Sequence, residues 1–387
     1  MQYQPAIVVI TYNRLSSLKR LLSSIDGSRF EDYPDLIISI DYSDTYQDQL
    51  AACAESFAWK GEKHIIRHKS NLGLRSHVFF CGRLSTEYGS VIVLEDDLYV
   101  APDFYLYSLK ALEILQTSQT VSGIGLYSPS FNEAAALPFE PVKTNSNLYL
   151  MQVPCSWGQI WTKDQWSSFE NWLNDDFDIE QLNLLPAAIQ HWSDQSWKKL
   201  YMLYLSQKNY FFAYPYTSYS MNLNEPGTHI IEKDYKFLNG LPLNNSVDKL
   251  KLDKQAACYD MHYMLIPDVL NETNSADGEY DYEIDLYGTK LDQFDEEQWL
   301  ITALKVTSFE KSFGLQLKPI ELNILFGIEG TEIFLTQKKY ISSRELPRTI
   351  IDFNYPIPKW YYPYFQTPIL KRLNGFIHFK LKRLFKD

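Results

Sequence analysis

The stretch Val91-Ile92-Val93-Leu94-Glu95-Asp96-Asp97 places four apolar residues directly before three carboxylates. A short apolar run rich in β-branched residues predicts a strand buried on both faces, as in a parallel sheet. In open α/β sheets, ligands bind in the crevice at the carboxyl ends of such strands. We therefore expect the three acids to lie at the edge of a ligand-binding crevice.

The acidic triplet needs a counter-charge or full solvation, because three adjacent carboxylates repel one another. In an extended segment, Glu95 and Asp97 would point one way and Asp96 the other. One acid could then bind a metal ion while its neighbour contacts another part of the same ligand. An isolated acidic triplet is more often a surface loop. Here the apolar strand before it favours the crevice.

Strands and helices alternate around this stretch. The sequence predicts strands at residues 6–11, 36–40, 64–67 and 91–94, and helices after an Asn13 cap, at 74–88 and at 103–116. This alternation predicts right-handed βαβ units and a mostly parallel, Rossmann-like sheet flanked by helices. Thr11, Tyr12, Asn13 and Arg14 follow the first strand and Asp41 the second, so we expect them at the same sheet edge as the acidic triplet.

The chain beyond residue 126 is less regular. The loop that contains Trp157 is predicted to lead into a strand or turn at residues 159–162, and a helix is predicted from Ser193 to Gln207 with Asp194 in its first turn. Gly240-Leu241-Pro242 indicates a boundary. The sequence therefore predicts a main domain at 1–240, with halves at 1–125 and 126–240, and a β-rich accessory region at 241–355.

Composition excludes several classes of protein. The formal net charge is −12, from 36 basic and 48 acidic residues among 387, which argues against a nucleic acid partner. The four cysteines have neither zinc-site spacing nor a dense disulfide pattern, so a reducing compartment fits best. A strand is predicted within a few residues of the start, and no apolar run is long enough to span a bilayer. We therefore expect a cytoplasmic protein.

The segment 356–387 reverses the charge of the rest of the chain. Its last part, residues 368–387, holds the basic residues Lys371, Arg372, Lys380, Lys382, Arg383 and Lys386 and the single acid Asp387. Apolar residues share one helical face, which predicts a basic amphipathic helix on an anionic membrane surface, after an aromatic collar that includes Trp360. A helix docked on its own domain fits the pattern equally well, and Gly375 weakens either helix.

The sequence resembles glycosyltransferases of the GT-A fold, in particular the inverting group around N-acetylglucosaminyltransferase I and its bacterial family-2-like relatives. The resemblance covers roughly residues 5–230. Its most specific part is VIVLEDDLYVAPDFY at residues 91–105, where a Pro-Asp-Phe helix start follows the acidic triplet. A second match is Asp194-Gln195-Ser196-Trp197, followed by Tyr214-Pro215 and Thr228-His229.

The resemblance implies roles for the residues at the crevice. Asp97 would be the direct protein ligand of Mn²⁺ or Mg²⁺, Asp96 would face the ribose or donor sugar, and Glu95 would face the sugar. Asp41 would accept a hydrogen bond from the uracil N–H. The other residues that the resemblance assigns to the nucleoside are Thr11, Tyr12, Asn13 and Arg14.

The resemblance also assigns the acceptor side. Asp194 would be the general base, although the animal enzymes have adjacent acids between closely spaced tryptophans where this chain has a lone acid. Arg75 and His229 are candidates for contacts with the diphosphate or metal, and Trp157 for a contact with a sugar ring. Asp194 could instead complement a helix dipole, and His229 could be an ordinary loop residue. Arg14 could likewise be a solvent-facing helix residue.

These features predict an inverting, metal-dependent glycosyltransferase that uses a UDP-sugar, with UDP-N-acetylglucosamine as the candidate donor. The acceptor would be a hydroxyl of a glycan or lipid-linked glycan at the inner face of a membrane. One alternative is a nucleotidyltransferase, which normally needs a glycine-rich phosphate loop that is missing after Tyr12. Another is a binding module for carbohydrate or nucleotide that has lost catalysis.

Overall fold

A computed structural model describes residues 4–115, 118–223, 240–242, 250–267 and 280–355. His229 and the amphipathic segment 356–387 lie outside these ranges, so their predicted roles stay predictions. Every helix within the described ranges falls short of the length and apolarity needed to cross a bilayer.

Within the described residues, one mixed sheet of nine strands forms the centre of the fold. From one edge to the other, its strands are β3 (Lys63–Arg67), β2 (Leu36–Ile40), β1 (Ala6–Thr11), β4 (Ser90–Glu95), β10 (Gln159–Thr162), β6 (Val121–Gly125), β11 (Phe211–Pro215), β9 (Leu148–Met151) and β13 (Cys258–Tyr259). The first four are mutually parallel, as the sequence predicts, whereas β10 is antiparallel to both of its neighbours. β11 runs parallel to β6, and β9 and β13 run opposite to β11.

Helices cover both faces of this sheet. In chain order they are α1 (Leu15–Asp26), α2 (Gln47–Ser56), α3 (Gly73–Arg83), α4 (Ser85–Tyr88), α5 (Phe104–Leu115), α6 (Lys163–Asp175), α7 (Ala187–Gln190), α8 (Trp197–Lys208), α9 (Glu321–Leu325) and α10 (Arg348–Asn354). Apolar residues of α1, α2 and α5 pack with Ile7 and Val9 on one face. Those of α3, α6 and α8 pack with Val8 and Val91 on the other. Burial on both faces explains the continuous apolar runs of β1, β2 and β4.

Smaller sheets complete the structure. Two two-stranded sheets pair β5 (Leu98–Val100) with β12 (Ser220–Asn222) and β7 (Phe131–Asn132) with β8 (Leu137–Pro138). A four-stranded sheet has the order β14 (Tyr282–Ile284), β15 (Trp299–Thr302), β17 (Ile333–Gln337) and β16 (Lys311–Phe313). Short 3₁₀ helices lie at Ile179–Leu184, Leu291–Gln293 and Lys338–Tyr340. The four-stranded sheet confirms the predicted β-rich accessory region.

Two predicted helix starts are wrong. Arg14 occupies the N-cap of α1 without a side-chain cap bond, so Asn13 is not the cap. The helix predicted at 193–207 begins at Trp197, which leaves Asp194 in the preceding turn. In each case a local pattern had more than one compatible backbone conformation.

Candidate active site

The acidic triplet lies beside the end of β1, because β1 and β4 are parallel and Ile10 pairs with Glu95. The next residues along each strand are Thr11 and Asp96. Thr11 Oγ1 donates a hydrogen bond of 2.7 Å to Asp96 Oδ2. This bond crosses the buried edge of the sheet and fixes the orientation of the Asp96 carboxylate.

Arg14 is the counter-charge of the triplet. Its guanidinium lies 2.6 Å from Asp96 Oδ1 and donates a hydrogen bond of 2.9 Å to Asp97 Oδ2. Both acids reach one guanidinium because the chain turns at Asp96 and Asp97 instead of staying extended. The predicted alternation of the three side chains is therefore wrong at this point, and so is the interpretation of Arg14 as a solvent-facing residue.

Burial makes two of the acids harder to ionise. Desolvation raises the pKa of Glu95 to about 8, with a further contribution from the charge of Asp97. Desolvation raises the pKa of Asp96 to about 6, although Arg14 and the Thr11 hydroxyl oppose the shift. The pKa of Arg14 is itself raised, because the charges of Asp97 and Asp96 outweigh desolvation. One guanidinium thus compensates the triplet only in part, so a second cation would be stabilised here.

Asp97 fits the role of a metal ligand. Its Oδ1 atom is buried and has no hydrogen-bond partner among the described residues. A buried carboxylate oxygen with open lone pairs is a ligand that Mg²⁺ and Mn²⁺ prefer. Among the described residues, no group of three or more acidic, histidine or cysteine side chains is arranged so that it could hold a metal ion by itself. A cation here would therefore draw on few protein ligands, as is usual for ions that also bind phosphates.

A cavity of about 1000 Å³ opens beside the triplet. Its lining includes the predicted residues Thr11, Tyr12, Asn13, Arg14, Asp41, Glu95, Asp96, Asp97 and Trp157. Further residues in the wall had no predicted role: Asn71, His77, Trp192, Gln195, Lys198 and Asn222. Most of these come from loops or helix starts, where no periodic pattern marks the position.

Asp41 holds the loop at the far end of the cavity. Its carboxylate accepts hydrogen bonds from the backbone N–H groups of Tyr42 and Leu72 at 2.8 Å and of Gly73 at 3.2 Å. Asp41 therefore has a structural role in addition to the nucleoside contact that the resemblance implies. Beneath it, His77 Nε2 lies 2.8 Å from Ser39 Oγ, and burial lowers the pKa of His77 to about 4.

Asp194 and Arg75 lie at the rim and not in the wall. The Asp194 side chain is fully exposed, and its Oδ1 atom is 3.9 Å from Lys199 Nζ. Neither Asp194 nor Arg75 lines the large cavity, although Ser193 and Gln195 on each side of Asp194 do. Burial lowers the pKa of Arg75, and the charge of Asp194 opposes this shift. The charge of Asp194 is therefore felt at Arg75.

The loop before α8 is fixed by a buried lysine. Lys199 is only 3% exposed. Its ammonium donates to the backbone carbonyl oxygens of Gln190, at 2.8 Å, and of Trp192. These bonds set the path of the segment that carries Trp192 and Asp194 to the cavity.

Trp157 reaches the cavity from a tight loop before β10. The following residue, Gly158, has a φ of 87°, and a Cβ there would lie 2.9 Å from the Leu126 side chain. Glycine is required at this position for both reasons. The rival acids Asp175 and Asp176 lie at the end of α6, where Asp176 forms an exposed 2.8 Å ion pair with Lys208. Both acids are exposed to solvent.

Comparisons with known proteins agree with the predicted class. Residues 6–155 match the sequence profile of the family described as Glycosyl transferase family 2. No curated protein sequence matches the chain significantly.

Several solved structures are similar to the chain. One is GalNAc-T7 with UDP, GalNAc and Mn²⁺, at 13% identity and a TM-score of 0.39 over 55% of this chain and 43% of that one. A second is S. aureus TarS 1-349, at 14% identity and a TM-score of 0.35 over 57% and 60%. A third is the mannosyltransferase PcManGT from Pyrobaculum calidifontis in complex with GDP-Man and Mn²⁺, at 11% identity and a TM-score of 0.34 over 56% and 55%.

The chain spans between 43% and 60% of the length of these solved structures. The family profile covers both β1 and β4, and therefore both Thr11 and the acidic triplet at the ends of these strands. Residues 6–155 are therefore similar to the glycosyl transferase family 2 domain, which supports the class of enzyme proposed below.

Proposed function

We propose that the chain transfers a sugar from a UDP-sugar to a hydroxyl of a glycan or lipid-linked glycan, with inversion and with the help of a divalent cation. The observation that carries the proposal is the cluster of Thr11, Arg14, Asp96 and Asp97 at the ends of β1 and β4, with a buried Asp97 oxygen that has no hydrogen-bond partner among the described residues. UDP-N-acetylglucosamine is the candidate donor. The cytoplasmic face of a membrane, contacted through segment 356–387, is the proposed location.

The donor would lie along the cavity from Asp41 to the triplet. Asp41 Oδ2 accepts one long backbone bond, so it keeps acceptor capacity for a uracil N–H. Tyr12 is 40% exposed at the cavity wall, where its ring could stack on the base. The diphosphate would then lie beside Asp97 and Arg14, which supports a role for Arg14 in binding phosphate as well as in balancing the acids.

Asp97 would hold the divalent cation, with Asp96 and Glu95 beside it. When bound, such a cation stabilises the charge that builds on a departing diphosphate. The protein's own contribution is to hold Asp97 in place through Arg14 and to orient Asp96 through Thr11. A carboxylate held in place before the ligand arrives needs little reorganisation during the reaction.

Asp194 is the proposed general base. The attacking hydroxyl must lose its proton, so a carboxylate is needed within hydrogen-bond reach of it. Asp194 is exposed in this structure, which leaves its carboxylate accessible to an acceptor that enters over Ser193 and Gln195. A single base and direct displacement by the acceptor hydroxyl would invert the configuration of the transferred sugar.

Thermal-shift measurements with UDP, GDP, CMP and dTDP, each with and without Mn²⁺, test the proposal. We expect UDP to raise the melting temperature most, and only when Mn²⁺ is present, because a ligand that binds the folded state stabilises it. A well-folded protein that responds to none of the nucleotides would contradict the proposed donor class. A response to GDP alone would replace UDP with another nucleotide.

A further inference from the structure

A second, smaller cavity adjoins the first. It has a volume of about 260 Å³ and shares Ser156, Trp157, Trp192 and Lys198 with the large cavity. The residues that it does not share are Tyr127, Pro129, Phe131, Glu133, Val153, Pro154, Cys155, Tyr214 and Tyr263. A ligand in the small cavity would therefore contact the same side chains as a ligand beside the acidic triplet.

Aromatic rings form much of the wall of this cavity. Tyr127 and Trp157 meet edge to face, with ring centroids 4.6 Å apart. Trp192 lies under the ammonium of Lys198, whose Nζ atom is 4.8 Å from the ring centroid. Aromatic faces pack well against the C–H face of a sugar ring, while the sugar's hydroxyls need polar partners at its edge.

Glu133 supplies such a partner. Its Oε2 atom accepts a 2.9 Å hydrogen bond from the Tyr263 hydroxyl and a 3.2 Å bond from Lys198 Nζ. Both bonds use the same oxygen, so Oε1 keeps acceptor capacity for a further donor. The Glu133 side chain is 26% exposed, which makes it accessible to a ligand. The Glu133–Lys198 pair is neutral overall and therefore suits hydroxyl groups better than a charged ligand.

Tyr263 reaches this cavity from the accessory region through a strained turn. Its φ is 63°, a conformation that is costly for an aromatic residue. Asp260 holds the turn, since its Oδ1 atom accepts from the backbone N–H groups of His262 at 2.8 Å and Met264 at 2.9 Å. Asp260 is in turn held by Lys290, whose Nζ lies 2.8 Å from Asp260 Oδ2. The accessory region thus supplies one side of the cavity.

We propose that the small cavity is the acceptor subsite and that it binds one neutral sugar ring, with Glu133 as the hydroxyl acceptor and Trp157 as the stacking face. This inference rests on the proposed function, because it places the acceptor beside the donor cavity. The volume is below the roughly 300–1,000 Å³ of sites for drug-sized ligands, so it suits a single ring. It also gives the accessory region a role, because the Tyr263 hydroxyl would hold the Glu133 carboxylate in position.

Sugar binding can be measured separately from transfer. The probes are the methyl pyranosides of glucose, galactose, mannose and N-acetylglucosamine, together with methyl glucuronide as the anionic counterpart. Saturation-transfer NMR on the full chain with UDP and Mn²⁺ would report binding of each. We expect at least one neutral glycoside to bind better than the glucuronide.

The variant Glu133→Gln should reverse this preference. Loss of the carboxylate should weaken the neutral glycoside about tenfold or more, because hydrogen bonds to charged groups are the stronger ones. It also leaves Lys198 without its carboxylate partner, so methyl glucuronide should bind more tightly than to the parent chain. Tyr263→Phe should weaken the neutral glycoside by a smaller factor.

Two matched controls exclude general effects. Glu283→Gln removes a carboxylate that pairs with Lys290 at 3.4 Å, and Tyr216→Phe removes a hydroxyl that donates to the Val142 carbonyl oxygen at 2.7 Å. Neither residue lines the small cavity. Both variants should bind the glycosides like the parent chain.

The outcomes separate the two proposals. UDP binding that needs Mn²⁺, together with no binding of any neutral glycoside, would overturn the acceptor subsite and leave the proposed function standing. Parent-like affinities in both Glu133→Gln and Tyr263→Phe would overturn the subsite in the same way. Failure of UDP to bind would overturn the proposed function, whereas glycoside binding that depends on Glu133 would still support the subsite. If Glu133→Gln does not fold, Tyr263→Phe decides the question.

Discussion

The two sides of the large cavity are built in different ways. On the acidic side, Asp96 is 2% exposed. Its carboxylate bonds to Thr11, at the end of β1, and to Arg14, at the start of α1. On the loop side, Asp194 is fully exposed and 3.9 Å from the ammonium of Lys199. The acidic side is thus organised before any ligand binds, whereas the loop side depends on one buried lysine. The comparison indicates that donor binding and turnover can be impaired separately.

The largest effect is expected from Asp97→Ala. This change removes the buried oxygen proposed to hold the cation, so UDP binding that depends on Mn²⁺ should be abolished. Isothermal titration of UDP with and without Mn²⁺ measures this Mn²⁺-dependent binding. Asp176→Ala, which removes an exposed acid paired with Lys208, is the matched control and should bind UDP normally. Unchanged Mn²⁺-dependent affinity in Asp97→Ala would show that the cation binds elsewhere.

On the loop side, Asp194→Asn should slow turnover by about 10² to 10⁴ while UDP affinity stays the same, since general-base catalysis typically contributes that much. Sugar transfer and UDP titration on the same preparation test both parts. Asp164→Asn, in the first turn of α6, serves as the control. Near-normal turnover would assign the base to another residue. It would also contradict the catalytic role proposed for the loop side.

A third variant, Lys199→Met, tests whether the buried lysine sets the loop. Its loss leaves the carbonyl groups of Gln190 and Trp192 without their donor, which typically costs about 1–3 kcal/mol of stability. A loop displaced by about 1 Å should lower turnover by up to about 10²-fold, again with little change in UDP affinity. Lys208→Met breaks only a surface ion pair and should change both quantities little. A loss of UDP affinity equal to the loss of turnover would refute the separation of the two sides.

The smallest effect concerns pH and the floor of the cavity. His77 is buried against Ser39, and burial holds its pKa at about 4 against an ordinary 6.5. Between these values the unfolded chain takes up a proton that the folded chain does not, so acid favours unfolding. From pH 7 to 5 the His77 contribution should cost about 2 kcal/mol of folding stability. Urea unfolding at pH 7 and 5 should show a smaller loss on acidification in His77→Gln than in the parent chain. This difference isolates the histidine from Glu95 and Asp96, whose raised pKa values act in the opposite direction. The exposed-site control His64→Gln should behave like the parent.

The acidic side could be predicted from the sequence because its signals are local. Continuous apolar runs mark β1 and β4, and parallel pairing then brings the residues after them to one edge. The turn at Asp96 and Asp97 could not be predicted, because the same residues are compatible with an extended strand. The Arg14 ion pairs followed from that turn and were missed with it.

The loop side and the small cavity depend on contacts between distant parts of the chain. Tyr263 and Glu133 are 130 residues apart, and no periodic pattern links them. The start of α8 at Trp197 also depends on bonds from Lys199 back to the preceding loop, which override the helical pattern that begins at Ser193. Tertiary contacts of this kind are outside the reach of propensity and spacing.

The short strand β13 has a consequence for synthesis on the ribosome. It completes the far edge of the central sheet by pairing Cys258 and Tyr259 with β9, and Tyr259 is fully buried there. Strands β1 and β4, which carry the acidic site, are complete once Glu95 has been synthesised. One side of β9 stays unpaired until the chain has grown past Tyr259. Unpaired strand edges invite association with other chains. The nascent protein is therefore most exposed to aggregation while the middle third of its sequence is being translated.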